Sequence, residues 1–220
     1  MDIGQILRAI SVFTLPILLA FTVPEIARGR VAMALGDKTP APDGHLSLNP
    51  LHYVHVLGTV VLPVLMLLFG SPLLFGWAKS VPVDPRNFRK PRLDLALLSA
   101  TAPIACLLMA WLWALLGGGL ASRGLLGHGY LAYWVHAMAV IGLTINVFLA
   151  AINLLPIPPL AGGRMLIGVL PLKAAWALSK LEPYGFWIVL GLLFLESARV
   201  ISVLGPLVGW LSDLIMHLVP

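Results

Sequence analysis

Long apolar stretches separated by short polar or basic loops dominate the pattern of hydrophobic and polar positions along the chain. A transmembrane helix needs about 20 predominantly apolar residues, and this chain contains several stretches of about that length or longer. We therefore predict membrane spans at about 3–28, 93–116, 134–155 and 184–219. Glu196 and Arg199 interrupt the last stretch, which leaves open whether it forms a helical hairpin or one bent helix.

The apolar segment 57–78 lacks the regularity of a straight helix. It is interrupted by the helix breakers Pro63, Gly70, Pro72 and Gly76. Irregular backbone at membrane depth must be buried in protein or line a polar cavity. We therefore predict a re-entrant or irregular element after the first helix. The predicted fold class is an all-α integral membrane protein, with residues 1–220 forming a single membrane domain.

The composition indicates that lipid is the solvent for most of the protein surface. Hydrophobic residues make up 60% of the chain, charged residues only 10%, and the mean hydropathy is +0.97. Soluble domains have about 25% charged residues. The net charge of +5 does not indicate nucleic-acid binding, because no soluble segment interleaves basic and aromatic residues. We expect membrane lipid, and not nucleic acid, as a partner.

The basic residues orient the chain because they are concentrated in one loop. The segment 79–92 contains Lys79, Arg86, Arg89, Lys90 and Arg92. The loop 117–133 contains Arg123 as its single lysine or arginine. Cytoplasmic loops are enriched in lysine and arginine, so the first loop is predicted to be cytoplasmic and the second external. This topology places Glu25 and the turn 153–164 near the cytoplasmic face.

Three groups of motifs resemble a known family. They are NLLPIPPLAGGR at 153–164, the series LGD, LNP and GT within 35–59, and the series FGWAKSVPV and NFRKPR within 75–92, followed by EPYG at 182–185. In this order, over roughly residues 15–190, the motifs resemble the site-2 protease family of intramembrane zinc proteases. The resemblance implies a polytopic helical bundle of site-2 protease type, in a bacterial inner (plasma) membrane, with the former active-site face toward the cytoplasm.

The same resemblance implies a zinc site whose ligands have been replaced. Family members carry His-Glu-x-x-His on the first core helix, where two imidazoles bind the metal and the Glu activates its water. The matching pentapeptide here runs from Pro24 to Arg28, and the third ligand position, an Asp in the family, is Ala161. None of these three side chains can bind zinc. We therefore expect no zinc or other cofactor, with Glu25 as a vestigial general base.

The residues that remain at the site suggest a structural replacement for the metal. Arg28 follows Glu25 by three positions, so the two side chains can meet on one helix face. We hypothesise that this ion pair replaces the metal centre and keeps the local charge near zero. A structural role in the former substrate groove is predicted for Asn153, Pro156, Pro158, Gly162 and Gly163.

The resulting functional prediction is a catalytically inactive homologue, or pseudoprotease, that binds a transmembrane segment of another protein. One alternative is an active zinc metalloprotease with a rearranged site, for which Glu25 with His52 and His55 is the available combination. Another alternative is a small transporter or a structural membrane subunit. The missing ligands favour an inactive protein over an active peptidase, and the two alternatives stay open at this point.

Overall fold

The computed structural model describes residues 3–40, 49–53, 55–61, 65, 79–119 and 130–219. These residues form seven α-helices: α1 (Ile3–Ala34), α2 (Pro91–Ala114), α3 (Tyr130–Leu154), α4 (Ala161–Val169), α5 (Leu172–Ser179), α6 (Gly185–Ser197) and α7 (Leu204–His217). Short 3₁₀ turns occur at Pro50–Tyr53, Pro85–Asn87 and Glu182–Tyr184, and short π-helical turns at Val56–Val61 and Leu115–Gly119.

Four helical stretches within the described residues are long and apolar enough to cross a membrane. They are Ser11–Ala34, Pro91–Gly118, Ala132–Leu154 and Leu172–Glu196. Large apolar side chains of α2 point outward rather than into the bundle, as at Leu97 (59% exposed) and Leu108 (57% exposed). Exposed apolar surfaces of this kind mark membrane or protein contacts, and on helices of spanning length they fit a lipid environment. The protein is therefore an integral membrane protein, and the predicted helical fold class is confirmed.

Helix α2 lies at the centre of the bundle, where it packs against α1, α3 and α4. Helices α2 and α3 approach closely because small residues lie at their interface. A Cβ added at Gly142 would lie 2.4 Å from the Trp113 ring, and one added at Gly117 would lie 2.6 Å from the Cβ of Ala139. Small residues allow this close approach in membrane helices, where dispersion rather than water exclusion drives packing.

The C-terminal apolar stretch forms two helices, α6 and α7, rather than one bent helix. The Glu196 carboxylate accepts hydrogen bonds from the N–H groups of Val203, Leu204 and Gly205, at 2.8, 3.1 and 2.8 Å. It therefore satisfies backbone donors at the start of α7, which otherwise have no intrahelical partner. Arg199, in the turn between the helices, has a φ of 57°.

The first three spans differ from the predicted ones mainly at their ends, whereas the fourth candidate span, Leu172–Glu196, begins inside the predicted connector and ends well before residue 219. The first helix continues to Ala34, beyond the predicted limit of residue 28. The predicted connector between the third and fourth spans contains α4 and α5. Most of the predicted re-entrant segment 57–78 lies outside the described residues, so that expectation and the single-domain organisation stay predictions.

Candidate functional site

Glu25 is held inside the bundle by two interactions of its carboxylate. Its Oε2 accepts a hydrogen bond from the N–H of Val81 at 2.8 Å, and Nη1 of Arg28 lies 3.7 Å from the same oxygen. The Glu25 and Arg28 side chains are 16% and 21% exposed. The spacing of three residues thus produces the contact predicted from the sequence. Pro24, just before Glu25, has no N–H and leaves the carbonyl of Ala20 without its usual helical donor.

A segment after the undescribed part of 57–78 forms the wall opposite Glu25. The N–H of Lys79 donates to the carbonyl of Tyr53 at 2.8 Å, while the N–H of Val81 donates to Glu25. Two N–H groups, two residues apart, therefore point to the same side, as in an extended strand. Ile26, Tyr53 and Val81 pack together beside the carboxylate.

Tyr53 provides a neutral phenol in this wall. Burial raises the pKa of Tyr53, and the nearby negative charge of Glu25 raises it further. The ordinary pKa of tyrosine is already about 10, so the phenol stays protonated at physiological pH. Tyr53 therefore adds no negative charge beside Glu25.

The two histidines considered for a rearranged metal site lie near this wall. His52 is exposed in the turn Pro50–Tyr53, and Nδ1 of His55 accepts a hydrogen bond from the N–H of Gly58 at 3.2 Å. Among the residues that the structure describes, no three His, Cys, Asp or Glu side chains form a set that could bind a metal ion.

A second polar cluster, around Asp37, joins the end of α1 to the loop that precedes α2. The buried Asp37 carboxylate accepts hydrogen bonds from the N–H of Asp84 and from Nδ2 of Asn87, both at 2.8 Å. The N–H and hydroxyl of Thr39 also donate to it. Burial opposes ionisation of Asp37, but these hydrogen bonds outweigh it, and the pKa is lowered. The LGD and NFRKPR motifs therefore meet at a charged structural joint.

The proline-rich turn after α3 holds the residues predicted to line the former groove. Asn153 donates from Nδ2 to the carbonyl of Leu149 at 2.9 Å, so its amide is bound to its own helix. Pro156 is exposed and Pro158 is buried, with a cis peptide bond between Pro158 and Pro159. These contacts are structural, and the role of the residues in a substrate groove stays a prediction.

Three glycines let the turn and the following helices approach one another. A Cβ at Gly162 would lie 2.4 Å from the carbonyl oxygen of Leu154, and one at Gly163 would lie 2.2 Å from the nitrogen of Pro158. A Cβ at Gly185 would lie 1.8 Å from the carbonyl oxygen of Pro158. Any side chain at these positions would collide with backbone, so the start of α6 covers one side of the turn.

An ion pair connects the same two motifs. Nη2 of Arg164, the last residue of NLLPIPPLAGGR, lies 2.8 Å from Oε1 of Glu182, the first residue of EPYG. Both side chains are at least one-third exposed, so the pair contributes little stability by itself. The pair joins α4 to the short turn before α6, while the close contact of Gly185 with Pro158 packs the start of α6 against the proline-rich turn.

The residues at the positions implied by the family do not fit a zinc ion. Pro24 and Arg28 lie on α1, and Ala161 is the first residue of α4. Zinc requires nitrogen, sulfur or oxygen donors that carry a free lone pair. Proline and alanine side chains have none, and the guanidinium of Arg28 is a cation already directed at Glu25. The chemistry of these residues therefore supplies no zinc ligand.

The fold and this site define a polytopic helical membrane protein with a glutamate enclosed within its first span. A relative from Bacillus subtilis (strain 168), named "Putative zinc metalloprotease YwhC", is 32% identical over 174 residues, which cover 79% of this chain and 76% of the relative. A relative from Mycolicibacterium smegmatis, named "Putative zinc metalloprotease Rip2", is 30% identical over 190 residues, which cover 85% and 69%. No family model and no solved structure matches the chain.

The chain belongs to the site-2 protease-like family. The resemblance inferred from the motifs is thereby confirmed.

Several residues that shape the site could not be identified from the sequence. Val81 acts through its backbone N–H, which donates to Glu25. Gly185 acts through its lack of a side chain, which allows close contact with Pro158. The motifs contain Asp37 and Asn87 but do not reveal that their side chains meet across 50 positions of sequence. The available signal was that both lie in motifs shared with the family.

Proposed function

We propose that this protein is a catalytically inactive site-2 protease homologue that binds membrane-protein segments without cutting them. The observation that carries the proposal is the set of contacts made by Glu25, together with the residues at the implied ligand positions. Its carboxylate accepts from a backbone N–H and faces a guanidinium, while the implied ligand positions hold proline, arginine and alanine.

The contacts of Glu25 and the absence of metal ligands at the implied positions argue against a role as general base. A catalytic carboxylate has to reach the proton of the attacking water, within about 2.6–3.2 Å. The Oε2 of Glu25 is engaged by Val81 and Arg28, so this one oxygen is not available to a water. Without a metal to lower the pKa of water from about 15.7, a glutamate alone is a poor activator of hydrolysis. Arg28 compensates the charge that the lost ion would otherwise have balanced.

Binding of an extended peptide is supported by the segment beside Glu25. Lys79 and Val81 direct their N–H groups inward, which leaves the opposite backbone edge at Ser80 for another strand. Lys79 and Ser80 are exposed. A peptide can add to such an edge through main-chain hydrogen bonds and be held without being cleaved. A transmembrane segment that unwinds locally is the class of partner that fits.

The position of the basic loop next to the end of α1 supports an orientation for the site. The Asp37 joint connects the end of α1 to the loop before α2, and this loop carries most of the basic residues of the 79–92 segment. By the positive-inside rule this end of the bundle faces the cytoplasm. We therefore place the Glu25 face toward the cytoplasm of a bacterial inner membrane.

A cleavage assay tests the proposal. The full chain would be reconstituted in liposomes with a panel of transmembrane peptides, with added zinc or with a chelator, and products measured by mass spectrometry. We expect peptide retention without cleavage in either condition. Zinc-dependent cleavage that is lost in Glu25→Gln would instead support the active alternative, and substrate flux across the liposome membrane would support a transporter.

A further inference from the structure

An open groove of about 490 Å³ lies between the start of α2 and the end of α4, away from Glu25. The residues that line it are Lys90, Pro91, Arg92, Leu93, Gly168 and Val169. The floor is a close helix contact, since a Cβ at Gly168 would lie 2.4 Å from the Cβ of Ala96 and 2.6 Å from the carbonyl oxygen of Arg92. The groove therefore has a fixed base between two packed helices.

One end of the groove is positively charged. Lys90 is exposed, and no carboxylate of the described residues lies within ion-pair distance of its ammonium group. Nη2 of Arg92 donates to the carbonyls of Ile167 and Leu170, which are neutral acceptors and leave its charge uncompensated. The nearby Asp94 is buried, and its Oδ2 accepts from the N–H of Lys90 at 2.7 Å. This end of the groove therefore carries two cations and one carboxylate, and that carboxylate is already bound to a backbone N–H at the start of the helix.

The other end of the groove is apolar and exposed. Leu93 and Val169 are 51% and 72% exposed, and Leu172 continues this surface at the start of α5. One turn further, Trp176 is exposed with the Lys180 ammonium 3.5 Å from its ring centroid. Tryptophan and lysine side chains of this kind collect at the level of lipid headgroups. The groove therefore joins two cationic side chains to an exposed apolar wall, next to a Trp–Lys pair typical of the headgroup region.

We propose that this groove binds an anionic phospholipid, with its phosphate between Lys90 and Arg92 and its acyl chains along Leu93 and Val169. Basic pockets between membrane helices on the cytoplasmic side bind such headgroups. The apolar wall favours a lipid over a soluble phosphate, which has no chain to place there. The net positive charge favours an anionic headgroup over a zwitterionic one. The site is separate from Glu25 and independent of the proposed pseudoprotease role.

Native mass spectrometry of the full chain in detergent, titrated with phosphatidylglycerol or phosphatidylcholine, tests this site. We expect tighter binding of phosphatidylglycerol. Lys90→Gln is expected to weaken it about fivefold, because one lysine near an anionic surface contributes about 1 kcal/mol. The matched control is Arg86→Gln, an exposed cation of the same loop that does not line the groove. It is expected to leave the affinity unchanged.

A second variant keeps the test decisive if Lys90→Gln does not fold. Val169→Glu places a carboxylate on the exposed apolar wall, where it can be solvated, and should weaken phosphatidylglycerol binding at least as much. Equal losses in Lys90→Gln and Arg86→Gln would overturn the proposal, as would equal binding of the two lipids. Displacement of the lipid by millimolar inorganic phosphate would identify a free-phosphate site and reject the lipid assignment.

Discussion

Replacing Arg28 by alanine removes the cation beside Glu25 while leaving the hydrogen bond from Val81 in place. At about 4 Å and an effective dielectric constant of about 20, two unit charges attract by about 4 kcal/mol. The observed separation is 3.7 Å, and both side chains are mostly buried. Removing one partner of a buried pair costs about 3–5 kcal/mol. The retained Val81 bond and the partial exposure of the pair place Arg28→Ala at the lower limit, about 3 kcal/mol.

The free energy of unfolding can be measured in mixed detergent micelles by circular dichroism. The double variant Glu25→Gln/Arg28→Ala removes both charges and keeps an acceptor for Val81. It should cost only about 1 kcal/mol, because replacing both members of a buried pair is often nearly neutral. Arg30→Ala is the control, since Arg30 is an exposed cation of the same helix. If Arg28→Ala costs no more than Arg30→Ala, or the double variant costs as much as Arg28→Ala alone, the ion-pair reasoning is wrong.

Two further predictions concern the joints that hold the site. Asp37→Asn should lower the free energy of unfolding by about 3 kcal/mol at neutral pH. In the unchanged protein, the lowered pKa of Asp37 stabilises the fold above about pH 4, and this contribution is lost as the pH falls through the pKa of Asp37 in the folded state. The variant lacks this contribution, so its stability should decrease less on acidification. The measurement is thermal unfolding from pH 7 to pH 2, with the exposed Asp213→Asn as control. If the two variants lost the same stability and showed the same pH dependence, the role assigned to Asp37 would be wrong. Gly185→Ala should lower the free energy of unfolding by about 3 kcal/mol, since its Cβ would overlap the Pro158 carbonyl. Gly191→Ala in the same helix has open space and should be neutral or stabilising, so equal effects would refute the packing account.

Local sequence relationships predicted one part of the site correctly. Apolar stretches of spanning length indicated the helices, because only a helix satisfies its own backbone in lipid. The Glu25–Arg28 contact followed from helical geometry, which brings positions three apart onto one face. The motifs identified the family, although they did not show what the motif residues contact.

The remaining parts depend on contacts between distant segments, which periodicity does not encode. Val81 donates to Glu25 across 56 positions, and Asn87 donates to Asp37 across 50. The pairing of Gly185 with Pro158 depends on the absence of a side chain, which no hydrophobic pattern reveals. The division of the last apolar stretch into two helices depends on Glu196, whose carboxylate binds the backbone donors of the next helix.

The zinc content of the purified protein is the most direct test of the central claim, that the positions of Pro24, Arg28 and Ala161 can no longer hold a metal. The full chain would be equilibrated with zinc in detergent, desalted and measured by inductively coupled plasma mass spectrometry. We predict far less than one zinc per chain for the natural sequence, and close to one for the variant Pro24→His/Arg28→His/Ala161→Asp. One bound zinc per natural chain, lost when Glu25 is changed to alanine, would contradict the account.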